Sequence, residues 1–168
     1  MQTIHLLSTG GTVEKIYSEQ TGQVENMGTK IERYLKQLRL PDVKISAVSL
    51  MNIDSLEMTD EDRSEILSAV ESRLRPGEPV VITHGTDTMV QTGLYLRRHL
   101  GQPPAPIILT GAMTPLGFEG SDGLQNLTES LLAARLLAPA IYVVMHNQVF
   151  PIDKVHKDPE LSRFVWSE

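Results

Sequence analysis

The chain has 168 residues, 40% of them hydrophobic, with 15 basic against 21 acidic side chains and a formal net charge of −6. That length fits one domain, 1–168, with a sizeable buried core, and the acidic balance argues against a dedicated binder of nucleic acid or anionic membranes, because no basic excess offsets phosphates. The absence of cysteine excludes disulfides, thiolate catalysis and cysteine zinc sites.

The start, Met1 to Leu7, lacks a basic n-region and carries His5 in an apolar run too short for a membrane span or a signal peptide. A cytoplasmic, soluble protein is expected. Ile4 to Leu7 reads as a buried strand, followed at once by Ser8-Thr9-Gly10-Gly11-Thr12. Val13 to Val24 breaks the regular pattern, and its Ser18 to Gly22 stretch predicts a hairpin flap after the first strand. Met27, Ile31, Leu35 and Leu38 fall on one helical face. Val43 to Leu50 alternates as a strand, and Thr59-Asp60-Glu61-Asp62 opens a helix that runs to Pro76-Gly77. Val80 to Ile82 is a β-branched run suited to a strand covered on both faces. Helix from Asp87 to Leu100, strand Ile107 to Leu109, helix Leu124 to Leu137 and strand Ile141 to Met145 complete the series. The tail after Pro151 is charged, contains Pro159, and reads as a surface segment. This alternation predicts an α/β fold of three layers: a mainly parallel sheet with helices on both faces, Rossmann-like or flavodoxin-like.

In such a sheet, ligands sit at the carboxyl ends of the strands. The loops there are Thr9-Gly10-Gly11-Thr12, Thr83-His84-Gly85-Thr86-Asp87-Thr88 and Thr110-Gly111-Ala112-Met113-Thr114-Pro115. Each joins glycine, which lets backbone N–H groups approach a ligand, with hydroxyls that supply hydrogen bonds or a nucleophile. A phosphate-binding glycine motif and a G-x-S-x-G turn are both absent, and His5, His84, His99, His146 and His156 show no metal-ligand spacing. His84 reads as a satisfied strand-end histidine rather than a base. Threonine chemistry remains, and a threonine hydroxyl needs a base. Tyr17, five residues beyond Thr12, is either a flap residue closing over it or a hairpin packing residue. Lys157 is either a solvated surface lysine or a partner of Thr86 and Asp87, an arrangement in which aspartate holds a lysine beside a hydroxyl.

Further blocks complete a pattern. Thr9-Gly10-Gly11-Thr12-Val13 and Ile82 to Met89, followed by Leu109 to Pro115 and by Ser121-Asp122-Gly123 with Asn126-Leu127, resemble the signatures of the bacterial-type L-asparaginase family in order and spacing. The resemblance implies hydrolysis of L-asparagine to L-aspartate and ammonia, weaker on L-glutamine, without cofactor or metal. Carried over, Thr12 is the nucleophile assisted by Tyr17, and Thr86, Asp87 and Lys157 form the second catalytic group. Gly11, Ser55, Thr86, Asp87 and Ala112 form the substrate-binding set, with Asp87 on the substrate ammonium and Ser55 on its α-carboxylate.

Two departures from the family pattern stand out. Leu56 occupies a position where periplasmic members commonly have a glutamine. The family's second domain, which lends an acidic residue to a neighbouring site, would follow near this chain's end, so the chain resembles the short-chain form made of the N-terminal catalytic domain; a piece of a longer protein is the competing reading. Equal efficiency on asparagine and glutamine would point to a residue of this chain or its partner, such as Glu57 or Glu14, in the lost carboxylate's place. A homo-oligomer, dimer or tetramer, is expected, with Leu94 and Leu131 among the apolar helix positions that either supply contact surface or belong to the core. Other function classes are a non-catalytic amino-acid-binding or sensor domain and the ammonia-supplying subunit of a tRNA-dependent amidotransferase.

Overall fold

The apolar runs become the strands of one sheet, seen in a computed structural model that describes residues 1–20, 24–26 and 30–168. In chain order the elements are β1 (Gln2–Gly10), a 3-10 turn (Thr12–Glu14), β2 (Lys15–Tyr17), β3 (Val24–Asn26), α1 (Lys30–Leu35), β4 (Val43–Ile53) and α2 (Asp60–Arg73). They continue with β5 (Val80–Thr83), α3 (Met89–Leu100), β6 (Ile107–Thr110), α4 (Gly123–Leu136), β7 (Ile141–Met145) and β8 (Gln148–Pro151). A second 3-10 turn (Ile152–Lys154), β9 (Val155–Asp158) and β10 (Arg163–Trp166) close the series.

The main sheet has the order β4-β1-β5-β6-β7-β8, parallel except for β8, which returns antiparallel to β7. Both central faces are buried, which is why β5 and β6 read as continuous apolar runs. Period-two alternation sends Val80 and Ile82 to one core with Ile66 and Val70 of α2 and Leu96 of α3. Val81 and Ile108 go to the other with Ile31 of α1 and Leu127 and Leu131 of α4. The three layers follow from that division. The hairpin expected after the first strand is the antiparallel pair β2–β3; Thr21 and Gly22 of its expected tip, and Met27 of the expected first helix, lie outside the described residues.

Local chemistry sets the boundaries. Thr59 caps α2 through a reciprocal box: its hydroxyl accepts from the Asp62 N–H at 3.3 Å, and its own N–H donates to Asp62 Oδ2 at 2.7 Å. The β7–β8 turn places His146 and Asn147 at φ 53° and 60°, the left-handed pair that a two-residue hairpin requires. The tail corrects the sequence reading. It is a packed hairpin, β9 against β10, in which Ile152, Val155 and Phe164 are buried and join the core of α2 and α3. Of the two helix positions left open between contact surface and core, Leu131 is core and Leu94 is exposed. Among the described residues no helix is long and apolar enough to cross a membrane.

Candidate active site

The carboxyl ends of β1, β4, β5 and β6 meet at one edge, and their backbones touch. Gly10 and Gly11 adopt φ 97° and 80°, which a side chain would resist. A Cβ on Gly11 would stand 2.5 Å from the Gly85 nitrogen, and a Cβ on Gly85 would run into the Ser55 side chain. Gly11, Gly85 and Ser55 are therefore stacked in direct contact. Thr88 Oγ1 donates to the Ser55 carbonyl at 2.8 Å and the His84 N–H to the Thr110 carbonyl at 2.8 Å, so the loops are also stitched laterally. Ser55 is buried, and its hydroxyl finds no partner among the described residues.

The threonines of this edge divide by what holds them. Thr9 Oγ1 donates to the Thr83 carbonyl and Thr110 Oγ1 to the Val144 carbonyl, each at 2.9 Å, so both stitch neighbouring strands. Thr12 opens the 3-10 turn, half-buried, and its hydroxyl makes no hydrogen bond among the described residues. Tyr17, at the end of β2, is 57% exposed, and its hydroxyl likewise makes none there. Lys15 at the start of that strand is paired with Asp54 at 2.8 Å; this ion pair, with the Leu56 N–H, holds the Asp54 carboxyl below its usual range.

Glu14 does not stand where a substrate-facing acid would. The 3-10 turn folds it inward, 1% exposed, into a small cavity shared with Leu6, Ser8, Ile31 and Ala47. Leu56 and Glu57, by contrast, are exposed. Burial pushes the Glu14 pKa up, and the nearby Ser8 hydroxyl pulls it down by less. A carboxyl whose folded pKa is raised contributes most favourably below its unfolded value, 4.5, and loses that contribution as pH rises through the folded value. Glu14→Gln is thus expected to gain stability over the parent, more at pH 8 than at pH 4.5. An uncompensated buried polar group costs about 1–3 kcal/mol, at ~2–4 °C per kcal/mol for a chain of this size. Thermal melts across that pH range check it; a constant difference would mean that Glu14 ionises without cost.

Lys157, on the corrected tail hairpin, reaches back to the β5 loop. Its Nζ donates to Thr86 Oγ1 at 2.8 Å and to Asp87 Oδ1 at 2.6 Å. Phe164, opposite Lys157 in the β9–β10 register, is 2% exposed and anchors the hairpin that carries it. Thr86 is buried while Asp87 remains open, so the lysine joins an inner hydroxyl to an outer carboxylate.

Asp122 is a site residue for which the sequence suggested no role. Its carboxylate accepts the N–H groups of Met113 at 3.0 Å and Thr114 at 2.9 Å, Asn126 Nδ2 at 2.9 Å and His146 Nε2 at 2.7 Å. Asn126 also donates to the Gly111 carbonyl at 3.0 Å. Together they brace the loop on which Ala112 is fully buried. Burial alone would raise the Asp122 pKa; the backbone N–H groups, His146 and Asn126 reverse this and hold it below the usual carboxylate range. A signal existed in the Ser121-Asp122-Gly123 block, but not its target. Among the described residues no three His, Asp or Glu side chains gather as a metal site.

Comparison with known proteins agrees with this arrangement. Residues 3–160 match the family model described as Asparaginase, N-terminal. An L-asparaginase of Thermococcus kodakarensis is 32% identical over 154 residues, which is 90% of this chain and 47% of that protein. A glutamyl-tRNA(Gln) amidotransferase subunit of Methanococcus vannielii is also 32% identical, over 89% of this chain and 35% of its own length. The solved thermostable L-asparaginase from T. kodakarensis superposes with a TM-score of 0.88 at 31% identity, covering 98% of this chain and 51% of that one. A probable cytoplasmic L-asparaginase from Campylobacter jejuni gives 0.77 at 27% identity, over 94% and 48%. The chain thus spans between a third and about half of the length of these relatives. Through its sheet, its stacked glycine loops and the match over residues 3–160, this chain belongs to the asparaginase family and corresponds to that family's N-terminal domain.

Proposed function

We propose that residues 1–168 act as one catalytic domain, an amidohydrolase that converts L-asparagine to L-aspartate and ammonia through Thr12. The observation that carries this reading is the Lys157 ammonium bridging Thr86 Oγ1 and Asp87 Oδ1, on the loop whose Gly85 packs against Gly11. Thr12 Oγ attacks the side-chain amide carbon and its proton leaves with the departing nitrogen as ammonia. Water then cleaves the resulting ester to release aspartate. Tyr17 assists from the flap, and the Thr86–Lys157 pair relays the proton of the attacking water to the departing Thr12 oxygen, which restores the threonine hydroxyl. Asp87, the open carboxylate, takes the substrate ammonium, while Ser55 and the backbone of Gly11 and Ala112 hold the rest. No step requires a cofactor.

Ammonia release from asparagine and glutamine, measured in parallel on purified protein, tests the reading. Asparagine is expected to lead in kcat/KM by about tenfold or more, because an extra methylene is worth about 1–3 kcal/mol in a fitted pocket and displaces the amide from attack geometry. Equal efficiencies would remove the selectivity argument. Binding of asparagine without ammonia release would favour a sensor domain. Release only with an amidotransferase partner and tRNA would favour the amidotransferase reading, to which the equally similar M. vannielii relative points.

The same reading takes the protein to be cytoplasmic and a homo-oligomer. Leu94 on α3 and Leu132 and Leu136 on α4 are 40%, 55% and 73% exposed and supply apolar contact surface. Light scattering at assay concentration is expected to show a dimer or tetramer; a fully active monomer would overturn this.

A further inference from the structure

Beneath the loop that carries Thr86 and Asp87 lies a line of buried polar groups that the proposed chemistry does not use. His84 is fully buried between the ends of β5 and β6, its Nδ1 2.7 Å from the Gly85 carbonyl oxygen. A carbonyl only accepts, so Nδ1 carries the hydrogen and Nε2 presents a lone pair. The Thr92 hydroxyl, 2.8 Å from Nε2, is therefore the donor there. Thr92 Oγ1 in turn receives the Arg63 Nε–H at 3.2 Å. Arg63 is only 3% exposed, and its Nη1 donates to the Met58 carbonyl at 3.2 Å and Asp60 Oδ1 at 3.1 Å.

The direction of every bond in this line is fixed from its ends. A guanidinium can only donate and a carbonyl can only accept, so with a neutral ring the Thr92 hydroxyl donates to Nε2; Met58 Sδ, 3.1 Å from Nε2 and 3.6 Å from Thr92 Oγ1, is the weaker acceptor beside this line. We propose that Arg63 and Thr92 are positioning residues that lock His84 in its Nδ1–H tautomer and, through it, fix the Gly85–Thr86 peptide at the head of the catalytic loop. In a trans peptide the C=O and the following N–H point in opposite directions. Holding the Gly85 carbonyl on the buried ring therefore turns the Thr86 N–H the other way, and that N–H makes no hydrogen bond among the described residues. A neighbouring N–H kept unpaired is what a developing oxyanion requires.

Two further observations fit a device rather than filler. The imidazole stays neutral, as the tautomer requires: burial, helped by the Arg63 charge and opposed by the Gly85 carbonyl, brings its pKa down to about 4. The loop also has little freedom to find another arrangement, since a Cβ at Gly111 would strike the His84 carbonyl and one at Gly85 would strike Ser55. A buried arginine whose only ion-paired carboxylate among the described residues, Asp60, has a side chain 75% exposed is a costly way to fill a core. Its place there fits a role that an apolar residue does not supply.

The proposal rests on Thr86 and Asp87 being catalytic, and its test has a readout that does not. Long-range nitrogen–proton NMR spectra of the full chain report the His84 tautomer directly. The parent is expected to show Nδ1–H alone at pH 7. Thr92→Val, nearly isosteric, and Arg63→Met are expected to populate Nε2–H as well and to lower kcat for asparagine about tenfold with KM within twofold. Thr92→Ser should restore both. A parent that shows Nε2–H, or a Thr92→Val protein with a single Nδ1–H form and unchanged kcat, would overturn the proposal. If Arg63→Met does not fold, Thr92→Val decides alone. A parent inactive on asparagine but showing these tautomer shifts supports the relay and removes only the amidohydrolase reading.

Discussion

Thr12→Ala is expected to lower kcat on asparagine by about 10⁴-fold or more, the order of loss seen when a covalent nucleophile is removed. The reason is positional as much as chemical. Of the threonines at the carboxyl edge, Thr9 and Thr110 spend their hydroxyls on neighbouring strand carbonyls, and Thr86 is held by Lys157. The Thr12 hydroxyl has no such engagement among the described residues, and it follows directly on two glycines in left-handed conformations. Stability should hardly change. The side chain is half-buried in a short 3-10 turn whose own hydrogen bond, from the Glu14 N–H to the Gly11 carbonyl at 3.1 Å, uses backbone alone. A surface-type change of this kind is worth within about 0.5 kcal/mol. Thr12→Ser keeps the hydroxyl and should keep part of the rate, while gaining rotamer freedom that the β-branched residue lacks. An Ala variant with the parental rate and an unchanged melting temperature would move the nucleophile elsewhere, and Thr86 would be the next residue to replace.

How far the sequence leads depends on whether a residue's environment is set locally. The strands at Val80–Thr83 and Ile107–Thr110 were legible because burial on both faces fills the first three positions of each with aliphatic side chains before the closing threonine. The capping box of α2 was legible because Thr59 and Asp62 satisfy each other within one turn. The β9–β10 hairpin was not, because each strand offers the core one principal anchor, Val155 in one and Phe164 in the other, among charged neighbours. Read as composition, that is a solvated tail; only the packing against α3, where a Cβ on Gly93 would strike Ile152, shows it to be seated. Lys157 owes its place to this hairpin, which is why spacing alone left two readings open. Arg63 gave no signal at all. In a helix rich in Asp and Glu it reads as one more surface charge, yet the α2–α3 packing buries it against Thr92. Glu14 shows the opposite case. Two residues from Thr12 it looked available to substrate, and a tight turn sends it instead toward Ser8 and Leu6.

Lys157→Met is expected to lower kcat by about 10²–10⁴-fold, the range that positioned acid–base groups contribute, with a smaller change in KM. Methionine keeps an unbranched apolar stem of similar length, so the β9 backbone, anchored by Val155 and Phe164, has no reason to move. What disappears is the bridge: Thr86 Oγ1 loses its donor at 2.8 Å and Asp87 its cation at 2.6 Å. The two losses differ in kind. Thr86 is buried, so its hydroxyl is left with nothing to orient it, whereas Asp87 side-chain exposure of 45% lets water replace the ammonium. An ion pair this open is worth about 0–1 kcal/mol in stability, so the melting temperature should stay within a few degrees while the rate collapses. Asp87→Asn separates the other half of the cluster. It keeps the shape and removes the charge that would face the substrate ammonium, so KM should rise as well as kcat fall, and the excess in KM measures that contact. Steady-state kinetics of both variants beside their thermal melts distinguish these outcomes. Parental kinetics in Lys157→Met would reduce the contacts at Thr86 and Asp87 to a structural staple, and the reading of this loop as catalytic would go with them.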